Sequence, residues 1–191
     1  MPLKARYRYM MVLLLAGLVA GRCVAQGTVV PLDVQVALLI KATSYDRNID
    51  KKRQPDGYLH IGVCYQEKLR ASTLEMEGIV AELKKQESAA KVKVHRILLG
   101  EGQSLASHPD LPSLSVLWLT NMRGLDVAEI IDLTRKKRLL SVTTLPAWVQ
   151  KGVSMGFDLQ GGRPHFLIHR SASVEEGCDF SSQLLKLATV Y

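Results

Sequence analysis

Residues 139–191 read LLSVTTLPAWVQKGVSMGFDLQGGRPHFLIHRSASVEEGCDFSSQLLKLATVY, and this stretch decides the fold. Over residues 153–159, apolar side chains alternate with small or polar ones: Val153, Met155, Phe157 and Leu159 against Ser154, Gly156 and Asp158. A period of two predicts a strand with one buried face. Gln160-Gly161-Gly162-Arg163 supplies the positive-φ residues of a tight hairpin, and Phe166 and Ile168 begin the returning strand. Pro164 lacks a backbone donor, which suits the start of that strand and not its middle. Phe180, Leu184, Leu187 and Tyr191 then fall at i, i+4, i+7 and i+11, which predicts one apolar stripe of a closing helix.

Upstream, strands and helices alternate. Asp33 caps a predicted helix carrying Val34, Ala37, Leu38 and Tyr45 and ending near Ile49. Asp46 and Arg47 at its end read as a local ion pair and cap, or as a ligand-contacting pair. Leu59, Ile61, Val63 and Tyr65 alternate with His60, Gly62 and Cys64 as the first core strand. Ser72-Thr73-Leu74-Glu75 reads as a capping box, with Met76, Ile79, Val80 and Leu83 as the buried stripe behind it. Residues 92–99 form a second strand, residues 100–112 a Gly-, Ser-, His- and Pro-containing loop, and residues 116–119 a short central strand. Val127, Ile130, Ile131 and Thr134 give the next helix its inner face. Arg135-Lys136-Lys137-Arg138 ends it, where cations complement the helix dipole. This order predicts an α/β fold: a three-layer sandwich around a mostly parallel sheet, with a C-terminal β-hairpin and the closing helix.

The ordering of LLSVTT, GVSMGFDLQGGRPHFLIH and Ser182-Gln183-Leu184-Leu185-Lys186-Leu187-Ala188 resembles the YfiR-like family of bacterial periplasmic proteins. Its members carry a strand ending in Ser/Thr, a glycine-bearing strand, a hairpin, a further strand and a final S-x-L-L-x-L-A helix. The likeness extends over about residues 34–191 when the weaker first half is included. It implies a periplasmic regulatory or sensor protein that binds a small ligand or a membrane signalling partner, a diguanylate cyclase, kinase or receptor. The best-known member represses an inner-membrane diguanylate cyclase and carries cysteine pairs near its third and penultimate strands. Here Ser115, Val116 and residues 151–156 occupy those regions, so redox control of that kind is not implied.

The address agrees with export. Lys4, Arg6 and Arg8 precede an apolar run over residues 10–20 that is short for a span, and Val24-Ala25 stands before Gln26. Residues 1–25 are expected to be a cleaved secretory signal, leaving residues 26–191 as one domain without a transmembrane segment. Cleavage lowers the formal net charge from +7 to +3, which removes most of the case for a nucleic-acid partner. A homodimer stays open. Cys64 and Cys178 remain, read as two small buried side chains or as a disulfide.

Catalytic motifs are weak. Gly152-Val153-Ser154-Met155-Gly156 matches G-x-S-x-G, but a nucleophile elbow needs a strand-to-helix turn, and here the alternation runs straight through Ser154. His165 and His169 stand about 13 Å apart along a strand, too far to share an ion, and His60, His95 and His108 have no ligand spacing. We therefore expect no catalytic residue, no metal and no cofactor. The expected contact territory is the crevice at the carboxyl ends of the parallel strands. Its rim would comprise Tyr65, Gln66, residues 100–108 with His108, Thr120, Asn121, Thr143 and Thr144; Arg163 on the hairpin is a further contact candidate. An unrecognised envelope enzyme and a ligand-free structural protein are the alternative readings.

Overall fold

The computed structural model describes residues 29–100 and 104–191, so the expected leader and residues 101–103 lie outside the described residues. Seven strands form one sheet: β1 (Leu59–Tyr65), β2 (Val92–Leu98), β3 (Val116–Leu119), β4 (Leu140–Thr143), β5 (Met155–Gln160), β6 (Arg163–Ile168) and β7 (Ala188–Val190), in the order β2-β1-β3-β4-β5-β6-β7. The strands from β2 to β5 are parallel; β6 runs against β5, and β7 lies parallel to β6. β3 and β4 are buried along their whole length, as central parallel strands covered on both faces must be.

The helices are α1 (Leu32–Thr43), α2 (Ile49–Lys52), α3 (Arg70–Lys85), α4 (Glu87–Ala90), α5 (Val127–Lys137), α6 (Pro146–Gln150), α7 (Arg170–Glu175) and α8 (Ser182–Leu185). Alternation along each strand divides the core in two. Ile61, Val63, Trp118, Val142, Met155 and Phe157 pack with Leu39 of α1 and Ile79 and Leu83 of α3. Cys64, Ile97, Leu117 and Leu119 pack on the opposite face with Ile130 and Ile131 of α5 and Trp148 of α6. The predicted three-layer α/β sandwich is the observed one. Cys64 and Cys178 belong to opposite clusters and are both free and buried.

Several local expectations are corrected. The closing helix is a single turn, α8, in which the Ser181 hydroxyl accepts from the Leu184 N–H at 3.5 Å. The chain then leaves it to pair β7 with β6, Phe166 opposite Ala188 and Ile168 opposite Val190. β6 would otherwise present a row of unpaired backbone groups, and satisfying that edge outweighs extending a four-residue helix. The predicted stripe splits accordingly: Phe180 and Leu184 are buried, whereas Leu187 and Tyr191 are 53% and 44% exposed. α1 stops at Thr43, where the Thr43 and Ser44 hydroxyls bond back to the Ile40 and Lys41 carbonyls, and Pro31, not Asp33, takes the cap position. α3 starts at Arg70, two residues before the expected capping serine. Val153 is not on the face of Met155: Gly152, at φ +113°, turns the chain, β5 begins at Met155, and Val153 falls in the α5-side cluster.

Candidate functional site

The order β2-β1-β3-β4-β5 reverses direction between β1 and β3. α3, which follows β1, covers one face, and α5, which follows β3, covers the other. Chains diverging to opposite faces leave a crevice at the carboxyl ends of those two strands.

On the α3 side the protein closes that crevice itself. The Gln66 N–H donates to Ser72 Oγ (3.0 Å), Ser72 donates to Thr120 Oγ1 (2.7 Å), and Thr120 donates to the Cys64 carbonyl (2.8 Å). This direction is the one that satisfies every member, because the Cys64 carbonyl only accepts and the Gln66 amide only donates. Beside this chain, Glu75 Oε2 accepts the Asn121 N–H at 2.5 Å. Partial burial raises the Glu75 carboxyl above its ordinary value, against the opposing pull of the Asn121 amide and of the Thr144 hydroxyl beside it.

Above the sheet, Gln66 spans the gap. Its Nε2 donates to the Arg123 carbonyl (2.8 Å) and its Oε1 accepts the Arg123 N–H (2.9 Å), a two-bond clamp between the loops after β1 and β3. Open space lies on the α5 side of this clamp. A cavity of about 750 Å³ is bounded by Gln66, Glu67, Lys68 and Leu69 after β1, Leu98, Leu99, Gly100 and Ser104 after β2, and Arg123, Gly124, Leu125, Asp126 and Glu129 after β3. A smaller cavity of about 250 Å³ shares Leu99, Leu125 and Glu129 and reaches Leu133 and Lys136 along α5. The floor is leucine and the rim carries both signs of charge. Asp126 is partly committed, since its Oδ1 accepts the Ala128 N–H at the start of α5.

Of the rim expected from sequence, Gln66 and, from the 100–108 loop, Gly100 and Ser104 line this cavity. Tyr65 packs against the core of the opposite face. Thr120 and Asn121 are used in the closure just described. Thr143 is buried and accepts the Leu145 N–H (3.0 Å) before α6, and Thr144 is buried. His108 accepts the Asp110 N–H through Nδ1 (3.3 Å) in the loop before β3, and Arg163 is exposed at the start of β6. Asp46 and Arg47 do not pair with each other. Asp46 Oδ1 accepts the Asn48 and Asp179 N–H groups, and Arg47 pairs with Asp179 at 3.4 Å, tying the end of α1 to the segment before α8. The sequence reading missed Lys68, Arg123 and Glu129; Asp126 and Glu129, a cap residue and an acid three positions on, were the available signal.

It also missed a buried carboxylate. Glu176 is fully buried and accepts from the Ser141 N–H (2.8 Å), Ser141 Oγ (2.6 Å), Ser154 Oγ (2.5 Å) and Thr134 Oγ1 (2.6 Å). Ser154 is fully buried, and its hydroxyl donates to this acid, with no imidazole bonded to it. That is the environment of a structural hydroxyl. Among the described residues no group of three or more His, Cys, Asp or Glu side chains is placed to hold a metal ion, and no helix is long and apolar enough to cross a membrane.

Solved structures of low sequence identity share this α/β fold. The chain is similar to an ABC domain in complex with L-Trp from Streptococcus pneumonia (15% identity, TM-score 0.61, 84% of this chain) and to a conserved domain protein from Vibrio cholerae (12%, 0.62, 84%). A third likeness is to a substrate binding protein with adhesive properties from Clostridium difficile, in its ligand-free, open form (13%, 0.57, 85%). The chain spans 60% of the length of each of these three structures. No curated protein matches it. The family model described as DUF4154, YfiR/HmsC-like, matches residues 33–189, and the chain belongs to that family.

Proposed function

We propose that this chain is an exported regulatory protein that binds a small zwitterionic molecule in the crevice between the β1, β2 and β3 loops, without turning it over. In this reading occupancy changes its affinity for a membrane signalling partner of the cyclase, kinase or receptor type. The observation that carries the reading is the mixed-charge, leucine-floored cavity of about 750 Å³ at the β1/β3 reversal, whose size suits a small ligand. Arg123 offers a cation to an anionic group, Glu67 and Glu129 offer acids to a cationic one, and Leu98, Leu99 and Leu125 accept an apolar body. Family membership and the export-type leader support the regulatory and periplasmic parts of the reading.

A ligand regulates only through its differential affinity for two states, and couplings of about 1–3 kcal/mol change partner affinity about 5–150-fold. The Gln66–Arg123 clamp is the element placed to feel occupancy, since it joins two cavity loops through one side chain. Because one structural neighbour was solved with L-Trp, free L-tryptophan and related amino acids are the first probes. Calorimetry should give one saturable site, weakened at least about tenfold in Arg123→Glu by loss of a charge-assisted contact. Conversion of the probe into product would replace this reading with an enzyme; binding that Arg123→Glu leaves unchanged would move the site elsewhere.

A further inference from the structure

We propose that His60 and His95, whose facing ring nitrogens lie 3.1 Å apart, form a two-histidine site for a divalent first-row transition metal, with Asp56 as the carboxylate partner of His60. The pairing is produced by the sheet. In the parallel register His60 stands opposite Lys93 and Gly62 opposite His95, so the two imidazoles meet diagonally on one face of the β1–β2 pair. Gly62, opposite His95, adds no side chain to the space between them.

The remaining contacts hold one imidazole in the tautomer a metal ligand needs. His60 Nε2 lies 3.0 Å from Asp56 Oδ2, so the proton sits on Nε2 and the Nδ1 lone pair points at His95 Nε2. Asp56 is itself fixed, its Oδ1 accepting the Tyr58 N–H (3.0 Å) and its Oδ2 the Lys93 ammonium (2.7 Å). Carboxylate, histidine and metal in series is the arrangement that orients imidazole ligands and raises their basicity. Lys93 is paired with Asp56 and lies over the Tyr58 ring at 4.7 Å.

The spacing fits. At metal–nitrogen bonds of about 2.0–2.1 Å, nitrogens 3.1 Å apart subtend about 98° at the metal, between square-planar and tetrahedral angles. Such a metal would hold the ring centres about 4.8 Å apart, and they stand at 5.0 Å. In the metal-free protein His95 Nε2–H donates to His60 Nδ1. The metal displaces that hydrogen bond from a position about 1.3 Å beside the N···N line, which a small rotation of each ring meets; His95 moves its proton to Nδ1, and water or an outside ligand fills the remaining positions. Imidazole donors in a two-point site select copper and zinc over magnesium or calcium.

Untagged, chelator-treated protein titrated with Zn(II) and with Cu(II) should take up one equivalent of either. His60→Gln and His95→Gln should each lower that affinity at least about tenfold, and Asp56→Asn about 10–100-fold, while His165→Gln, on the hairpin, leaves it unchanged. Nitrogen-15 spectra of the wild-type imidazoles serve where a variant fails to fold: Zn(II) should shift His60 Nδ1 and His95 Nε2 before any other histidine nitrogen. Uptake that persists in the His60→Gln/His95→Gln double variant, spectra in which His165 or His169 responds first, or no uptake at all would overturn the proposal and leave a shared-proton pair.

Discussion

Glu176 and Ser154 show how a residue's chemistry is fixed by partners distant in sequence. Burial raises the Glu176 carboxyl above the ordinary glutamate value of 4.5, outweighing its four hydrogen bonds. An acid whose pKa is higher folded than unfolded makes the folded state bind the extra proton, so stability falls as pH rises from about 4.5 toward the raised value. Urea melts should show wild type losing stability as pH rises above about 4.5, and Glu176→Gln should show a flatter profile; parallel profiles would mean that the acid is not desolvated. Ser154→Ala should cost about 1–3 kcal/mol by removing one donor to this acid, and should leave ligand binding intact. Labelling of native Ser154 by a fluorophosphonate would contradict its structural role. The G-x-S-x-G letters were legible, but the strand expected to run through Ser154 begins only at Met155, and it is the Glu176 contact that occupies the serine hydroxyl. Glu176 was not legible, because Thr134, Ser141 and Ser154 lie 42, 35 and 22 residues from it and no local periodicity joins them.

The β5–β6 hairpin is where element and sequence agree most closely. Gly161 and Gly162 have φ of +58° and +74°, the two positive angles of a two-residue turn whose twist matches the strands. Gly161→Asn should therefore be near neutral, and Gly161→Val should cost about 1–2 kcal/mol. β5 pairs with β4 only at Met155 and Gly156, so the hairpin projects past the carboxyl edge of the parallel strands. Phe157, tilted against Trp118 (6.0 Å) and Phe166 (6.3 Å), anchors its base. Phe157→Ala should cost about 3–5 kcal/mol and Leu184→Ala about 2–5, by lost burial and a residual cavity, whereas exposed Gln160→Ala should cost under about 0.5. Equal small losses for all three in denaturant melts would contradict this packing. The strands were readable because a period of two and the double-glycine turn are local signals. β7 was not, because three residues become a strand only when β6 offers them a free edge, and LATVY carries apolar residues at helical spacing equally well.

At the scale of the molecule, the strand order creates the crevice and the loops decide what is left of it. The carboxyl-end location follows from strand and helix alternation and was legible. Which rim residues face the cavity was not, since Thr120, Asn121 and Thr144 are drawn to the Glu75 side while Lys68, Arg123 and Glu129 border the opening. The two core faces also separate the cysteines: peptide mapping after thiol alkylation should find Cys64 and Cys178 unpaired and reactive only on unfolding, and a Cys64–Cys178 cross-link would contradict the sheet assignment. The central claim is that the opening beside the Gln66–Arg123 clamp receives a small zwitterionic ligand. Backbone amide shifts followed while zwitterionic metabolites are titrated into the protein test this most directly. The account predicts that a binding compound gives one saturating set of shifts at residues 66–69, 98–100 and 123–129, lost in Arg123→Glu. Saturating shifts confined to the hairpin or to the His60–His95 pair, or no saturating shifts with any zwitterion, would contradict it.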